Sequence, residues 1–404
     1  MLLDGDFLLS QLNHLGNIGL EPGRGLHRLA FSPDELRAPL DCGTNDGFGA
    51  CTTVDAAGNV IGHRPGATRC LRLWLGLHTD SVPGGGKYDG GLGVLAALAC
   101  VRTLREEGIE LRHPLLVIDF AAEEATIGPS PMGSLSMAGL LTEEMFEQPA
   151  WNGTSTRTLI ESAALNVSEI VSNRPPCDLA AFLELHIEQG DHLDTEGIEI
   201  GVVSGIVGIR RYFVTFTGQA NHAGTTSMAR RRDALVAAAP FITAVHDVAS
   251  AHGIVGTIGY LQVYPGASNV IPGRVEIDLE TRALDSEVLD LVEEELARLA
   301  TAGGASFVPG VAIAPCPADP EIMATITTVG QALGLSLCTM PSGAGHDAMN
   351  MATLCPYGMI FVPSIGGVSH SPDERTADGD CVNGARMLLA TLLKLDHDLD
   401  AVAL

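Results

Sequence analysis

The chain has 404 residues, too long for one ordinary hydrophobic core, so two domains are the default reading. Hydrophobic residues make up 46%, ample for a packed globule, and 23 basic residues against 49 acidic ones give a formal charge of -26. Such a field repels phosphate, which argues against nucleic acid or an anionic membrane surface as a partner; it reads as a solvated acidic face, not as a sign of function.

The nine cysteines, Cys42, Cys51, Cys70, Cys100, Cys177, Cys316, Cys338, Cys355 and Cys381, are scattered and never form a C-x-x-C. That pattern suits free thiols in a reducing compartment. The opening "MLLDGDFLLSQL" lacks a basic segment followed by an apolar one, so a signal peptide is not expected. No run approaches the roughly 20 apolar residues of a membrane span. The expectation is a soluble cytoplasmic protein with no membrane partner.

Residues 7–16 place Leu8, Leu12 and Leu15 on one side of an amphipathic helix. "DAAGNVIGHRPG" reads as a short strand between two turns. "CLRLWLGLH" is a strand ending in His78, and "GLGVLAALACVRTLREEG" is a helix of about four turns. "HPLLVIDFAAEE" is the next strand, carried as far as Glu123 and Glu124. Strand, loop, helix, strand is the βαβ pattern of a mixed or parallel α/β sheet. Ligands gather beyond the carboxyl ends of such strands. "AFLELHIEQG" repeats the pattern, with His186 closing an apolar run.

Near residue 205 the texture changes. "IVGIRRYFVTFTGQANHAG" reads as strands, "DALVAAAPFITAVHDVASAHG" as a helix, and "IVGTIGYLQVYPGASNVIPGRVEIDLETRA" as two more strands. "SEVLDLVEEELARLATAGG" is a second helix, with a strand near Ala312 after it. This order suggests a compact α+β sandwich inserted at 206–314 as its own domain. The remainder, 315–404, returns to the domain begun by 1–205, with a helix at "DPEIMATITTVGQALG", a strand and loop at "GMIFVPSIGGVSHSPDE" and a closing helix at "VNGARMLLATLLKL". No glycine cluster completes a nucleotide-binding fingerprint.

The strand ends and the loops after them collect His78, Asp80, Asp89, Glu123, Glu124, His186 and His370. Imidazole with carboxylate suits zinc, and equally manganese, nickel or cobalt. Five such side chains with one shared carboxylate could hold two divalent ions, which polarise a carbonyl beside an activated water. A glutamate next to the ions could then move the proton. Taken singly, any of the thirteen histidines is as readily an ordinary hydrogen-bonded or surface residue. The adjacent glutamates are harder to dismiss, because a buried carboxylate is costly unless paired or metal-bound; the alternative for them is a helix N-terminus.

Six blocks in order carry a resemblance over nearly the whole chain: "GLHTDSVPGGGKYDGGLGVLAAL", "VIDFAAEE", "FLELHIEQG", "GQANHAGTTSMARRRDAL", "GASNVIPGRVEIDLETR" and "GGVSHSPDE". The chain resembles the zinc-aminopeptidase-like M20 group, and within it the amidase branch of N-carbamoyl-L-amino-acid hydrolases, allantoate amidohydrolases and β-ureidopropionases. The resemblance implies an α/β fold: a mixed-sheet catalytic domain holding two metal ions, with an inserted α+β sandwich that serves as lid and dimerisation domain. It implies that Asp89 bridges two divalent ions (Zn, Mn, Ni or Co), that His78 and His186 hold one with it, and that Glu124 and His370 hold the other. Glu123 would be the general base, and Asp80 the carboxylate behind His78 that fixes its tautomer. His222 would reach into the partner's site of a homodimer to stabilise the tetrahedral intermediate. Gln189, Asn269, Arg282 and the backbone of Gly366 and Gly367 would hold a small-molecule substrate, Arg282 by a two-pronged contact with its carboxylate.

The branch usually continues its glutamate pair with a serine–arginine–phenylalanine–glycine run. This chain reads "EEATIGPSPMGS", with Ala125, Thr126 and Ile127 at the start of the departure. Ser227, Thr79, Ser81 and the segment 38–53 also depart from the branch pattern. The expected reaction is hydrolysis of an N-carbamoyl-L-amino acid or related ureido acid to amino acid, ammonia and carbon dioxide. The departure at 125–131 bears on substrate, and an amidase, aminoacylase or dipeptidase acting on N-acyl amino acids is the rival. A non-enzymatic binding protein that kept the fold is a third reading, opposed by the intact metal-site residues.

Overall fold

Three segments, Arg72–His78, Leu115–Phe120 and Leu179–Ile187, are almost uniformly apolar, which a sheet with one wet face would not need. The computed structural model, which describes residues 3–41, 51–67, 71–174, 176 and 178–399, buries them on both faces. In chain order the strands are β1 (Leu20–Glu21), β2 (Gly25–Leu26), β3 (Cys51–Val54), β4 (Val60–Arg64), β5 (Arg72–His78), β6 (Leu115–Phe120), β7 (Leu179–Ile187) and β8 (Ile200–Ile206). They continue as β9 (Gly208–Thr217), β10 (Val255–Tyr264), β11 (Arg274–Ala283), β12 (Ala305–Ile313), β13 (Cys316–Pro317), β14 (Leu337–Ser342) and β15 (Tyr357–Val362). The chain divides into two units, one from Met1–Ser204 with Ala318–Leu404 and one from Gly205–Pro317.

In the first unit the sheet runs β8–β15–β7–β5–β6–β4–β3, with β14 beside β8. The four central strands are mutually parallel, and the β8–β15, β6–β4 and β4–β3 pairings are antiparallel. The helix Gly91–Glu106 is apolar on nearly every side and correspondingly buried. It forms one layer with Gly5–Leu15, Pro320–Leu333 and Asp378–Asp398, packed on alternate strand residues Leu73, Leu75, Leu115, Val117, Leu183 and Leu185. A separate cluster, built from Met132, Phe146, Ile160, Ile170, Ala121 and Ala122, gathers the short helices Met132–Met137, Thr156–Ser162 and Val167–Val171.

The second unit is a four-stranded antiparallel sheet, β10–β11–β9–β12, with helices Ala234–His252 and Ser286–Ala302 on one face. Each helix begins where an aspartate can cap it. Asp233 accepts the N–H groups of Leu235 and Val236, and Asp285 those of Glu287 and Val288. Such caps contribute about 1 kcal/mol each. Cys316–Pro317 pairs back onto Gly205–Ile206.

Two sequence expectations need qualification. Ala234–His252 is, among the described residues, the one helix long and apolar enough to cross a membrane, with mean hydropathy 1.5, although no run of that kind was expected. Its hydropathy comes from a row of alanines and valines; Ala238, Phe241 and Val245 from that helix pack on Val214, Phe216 and Ile277 of the sheet. Of the cysteines, Cys100, Cys316, Cys338, Cys355 and Cys381 are free thiols, while Cys42, Cys70 and Cys177 lie outside the described residues, as does most of the departing segment 38–53.

Candidate metal centre

The carboxyl ends of the central strands stand side by side, His78 level with Phe120 and Phe361 level with His186. The loops that follow bring four more polar side chains to that edge. His78, Asp89 and His186 form one group of facing donor atoms, His78, Glu123 and Glu124 a second, and Asp89, Glu124 and His370 a third, each group with its atoms within 4.8 Å of one another. Asp89 stands between two of them: Oδ1 lies 3.2 Å from His186 Nε2, and Oδ2 lies 3.2 Å from His370 Nε2. His370 Nε2 is 3.8 Å from Glu124, and His78 Nε2 is 3.7 Å from Glu123. The return of Asp89 over the strand end depends on Gly90. Its φ is 65°, and a Cβ there would sit 2.5 Å from the ring and carbonyl of His78.

Both buried imidazoles turn Nε2 to the cluster because Nδ1 is engaged behind. His186 Nδ1 is 2.7 Å from the Ile187 carbonyl, and His78 Nδ1 lies 3.2 Å from the Asp80 carbonyl and 3.3 Å from Asp80 Oδ1. Asp80 does more than face His78. Its Oδ1 accepts the Glu123 N–H at 3.1 Å and its Oδ2 the Glu124 N–H at 3.2 Å. This explains a difference from the sequence reading, which runs β6 on into the glutamates. The strand ends at Phe120, Ala122 takes a φ of 54°, and the glutamates stand on a bend bound to the Asp80 carboxylate.

The electrostatics describe a site short of cations. Burial pushes the Glu123 carboxyl well above the usual range, opposed by His78 and reinforced by Glu124, Asp347 and Asp80. Burial and then Asp89 push Glu124 up to about 8. For His78, burial works against the charged form, but Glu123 and Asp80 outweigh it and raise the imidazole well above its ordinary value. Burial would raise Asp89, yet His186 and His370 hold it well below. The Asp89 partnership, opposed by burial, lifts His370 to about 9. Asp89 Oδ1 is buried with no hydrogen bond. Imidazole and carboxylate donors, an orphaned buried oxygen and carboxylates that raise one another fit a pair of divalent cations, which would reverse that logic.

Comparison with known proteins agrees. The sequence pattern of Peptidase family M20/M25/M40 matches residues 74–394. The chain belongs to this family. It lies in the hydantoinase/carbamoylase branch and is a metal-dependent hydrolase. It is 38% identical to an N-carbamoyl-L-amino acid amidohydrolase of Geobacillus stearothermophilus over 98% of this chain and 99% of that one. It is 34% identical to an allantoate amidohydrolase of Bacillus subtilis over 95% and 96%. The crystal structure of a hydantoinase/carbamoylase family amidase from Burkholderia multivorans superposes with a TM-score of 0.88 at 33% identity, covering 97% of this chain and 98% of that one.

Within this M20 chain, Gln189 is set against the cluster. It has a φ of 60°, its Nε2 donates to Asp89 Oδ2 at 3.0 Å, and its buried Oε1 has no partner. Gly366 and Gly367 both have positive φ, and the Gly366 N–H is tied to Asp194 Oδ2 at 2.8 Å. His222, Asn269 and Arg282 belong to the second unit. There His222 pairs with Val270 across an isolated bridge, and the Ala223 N–H donates to the Asn269 carbonyl at 3.0 Å. His222 Nδ1 accepts the Gly224 and Thr225 N–H groups, so the donor it presents is Nε2. Arg282 Nε is held 2.7 Å from Glu280 Oε1 on β11. In the departing stretch, Ile127 packs in the cluster with Phe31 and Phe146, and Ser130 Oγ donates to the Glu123 carbonyl.

Sequence reasoning missed a supporting set. Buried Arg28 donates from Nε to the Thr79 carbonyl and from Nη1 to the carbonyls of Leu15 and Ile18, and its backbone exchanges hydrogen bonds with Ser81. His346 lies 2.7 Å from Ser342 Oγ and 3.5 Å from Glu184 Oε1, its ring centroid 4.5 Å from that of His186. The one available signal was the His346–Asp347 pair directly after a small-residue run, "SGAG".

Asp119, also missed, accepts the Thr79 hydroxyl at 2.9 Å, and burial pushes its carboxyl up to about 7. A folded-state value above the ordinary carboxylate value of about 4 means that its contribution is fully present in acid and is lost as pH rises through about 7. Between about pH 4 and pH 8 the stability difference between D119N and wild type is therefore expected to move in favour of D119N by at least about 1 kcal/mol. Urea unfolding of the metal-free proteins reads it; a pH-independent difference would rule out Asp119 as the titrating group.

Proposed function

We propose that the protein hydrolyses the C–N bond of N-carbamoyl-L-amino acids or closely related ureido acids, releasing the amino acid, ammonia and carbon dioxide. The observation that carries this reading is the pair of donor groups sharing Asp89, in a chain that matches N-carbamoyl-amino-acid and allantoate amidohydrolases over nearly its full length. His78, Asp89 and His186 would hold one divalent ion, and Asp89, Glu124 and His370 the other; zinc, manganese, nickel and cobalt all suit these donors. When bound, the ions polarise the scissile carbonyl and lower the pKa of water.

The chain's own groups do the rest. Glu123 takes the proton of the attacking water at its carboxylate and returns it to the leaving nitrogen, standing 3.7 Å from His78 Nε2 beside the donor groups. Asp80 holds His78 Nδ1 and the backbone of both glutamates, so ligand and base are set by one carboxylate. Arg282 is the fork for the substrate carboxylate, with Gln189, Asn269 and the backbone at Gly366–Gly367 orienting the remainder. His222, supplied by the second copy of a homodimer through the lid and dimerisation unit, donates from Nε2 to the oxyanion.

The test is ammonia release. Metal-stripped protein is reloaded separately with zinc, manganese and nickel and given N-carbamoyl-L-amino acids, allantoate, β-ureidopropionate and N-acetyl amino acids. Metal-dependent ammonia in step with free amino acid is expected from a carbamoyl substrate. Free amino acid from the acetyl compounds alone, with no ammonia, would overturn the ureido reading in favour of an aminoacylase.

A further inference from the structure

Glu374 lies four residues beyond His370 and is 4% exposed. Its Oε1 accepts the backbone N–H of Tyr88 at 2.9 Å and of Asp89 at 3.1 Å, and its Oε2 accepts the Ser369 hydroxyl at 3.1 Å. Ser369 Oγ is in turn 3.4 Å from Asp89 Oδ2. One buried carboxylate thus ties the backbone of the shared residue Asp89 to the residue that precedes His370. Gly86 makes room for it. A Cβ at that position would lie 2.3 Å from Glu374 Oε1 and 2.4 Å from its Cβ. Gly86 is not among the positive-φ glycines, so it is space and not backbone conformation that asks for glycine here.

The two halves of the cluster are anchored differently. His78 and His186 sit inside strands β5 and β7 and are buried, so the sheet itself places them. The His370 side chain is 51% exposed and stands on a loop, with a φ of 53°. The Glu374–Ser369 link joins that loop to the backbone of Asp89, beside the direct His370–Asp89 contact.

We propose that Glu374 is a positioning residue which joins the Asp89 loop to the His370 loop and so sets the affinity for the ion of the Asp89–Glu124–His370 group, leaving the ion of the His78–Asp89–His186 group much less affected. The inference rests on the two-ion reading above. Glutamine can keep the arrangement, its carbonyl accepting the two N–H groups and its amide donating to Ser369 Oγ. Alanine cannot.

Cobalt titration of the metal-stripped protein, followed by d–d absorbance and by metal content after dialysis, tests this in wild type, E374A, E374Q and G86A. Wild type and E374Q are expected to take two ions with similar affinities. E374A and G86A are expected to keep the first and weaken the second by at least about tenfold, the scale on which loss of a residue supporting a metal ligand is felt. S369A, which removes only the hydroxyl, is expected to shift the second ion in the same direction and serves if E374A does not fold. Unchanged affinities in E374A, or equal loss of both ions, would overturn the proposal. A wild type that takes fewer than two ions would overturn the two-ion reading, and the inference with it.

Discussion

Glu123→Gln is expected to leave about two ions per chain while turnover falls by roughly a thousandfold, within the range of general-base contributions. The substitution keeps size and hydrogen-bonding capacity and removes only the ability to take a proton. Geometry makes the outcome informative. Glu123 and Glu124 both face His78 in one group of donor atoms, but Glu124 also joins Asp89 and His370, while Glu123 has no second group. Every residue read as a ligand shares a group with Asp89, and Glu123 does not. Metal content by elemental analysis, beside single-substrate turnover, separates the two roles. Loss of one ion together with turnover would show that Glu123 is a ligand and that base and ligand have been exchanged between neighbours.

Asp89→Ala is expected to have the widest effect on the metal centre, because Asp89 is shared by two donor groups. Its Oδ1 faces His186 and its Oδ2 faces His370, both at 3.2 Å, so removal takes a ligand from each ion at once. Metal content should drop below one ion per chain and turnover to background. His370→Ala touches one group only and should retain about one ion. The comparison between the two variants, made by elemental analysis after exhaustive dialysis, carries the argument. If Asp89→Ala still retained one tightly bound ion, the carboxylate would serve a single ion and the shared-ligand arrangement would be wrong.

Much of the catalytic architecture is legible because its signals are local. His78 and His186 close runs of apolar residues, and in a sheet with parallel central strands that placement alone puts them at the edge where ligands collect. Glu123 and Glu124 follow a run too apolar to leave carboxylates without a purpose, and the helix from Gly91 is announced by its unbroken apolar character. Of the caps of the second unit's helices, Asp233 opens its expected helical segment and Asp285 stands immediately before its own.

Apart from the Asp80 expected behind His78, what holds those residues in place was not legible. Arg28 meets Ser81 across 53 positions, Glu374 meets the Asp89 N–H across 285, and the Ala348 N–H meets Glu184 across 164. A lone arginine or glutamate in a loop has no periodicity, and its partner is chosen by the closure of the sheet and not by its neighbours in sequence. The end of β6 is a case of the same kind. Alternation and hydropathy would carry the strand to Glu124, but the Asp80 carboxylate, in the loop after the neighbouring strand β5, captures both glutamate N–H groups, and the chain bends at Ala122. Sequence by itself determined that His78 and His186 close apolar strands and that acidic residues and a further histidine follow strand segments, since residue type and apolar periodicity are local properties. Tertiary structure alone decided that Asp80 also holds both glutamates and that Arg28 and Glu374 fasten the loops, since a buried polar group is stabilised only by partners that long-range packing delivers.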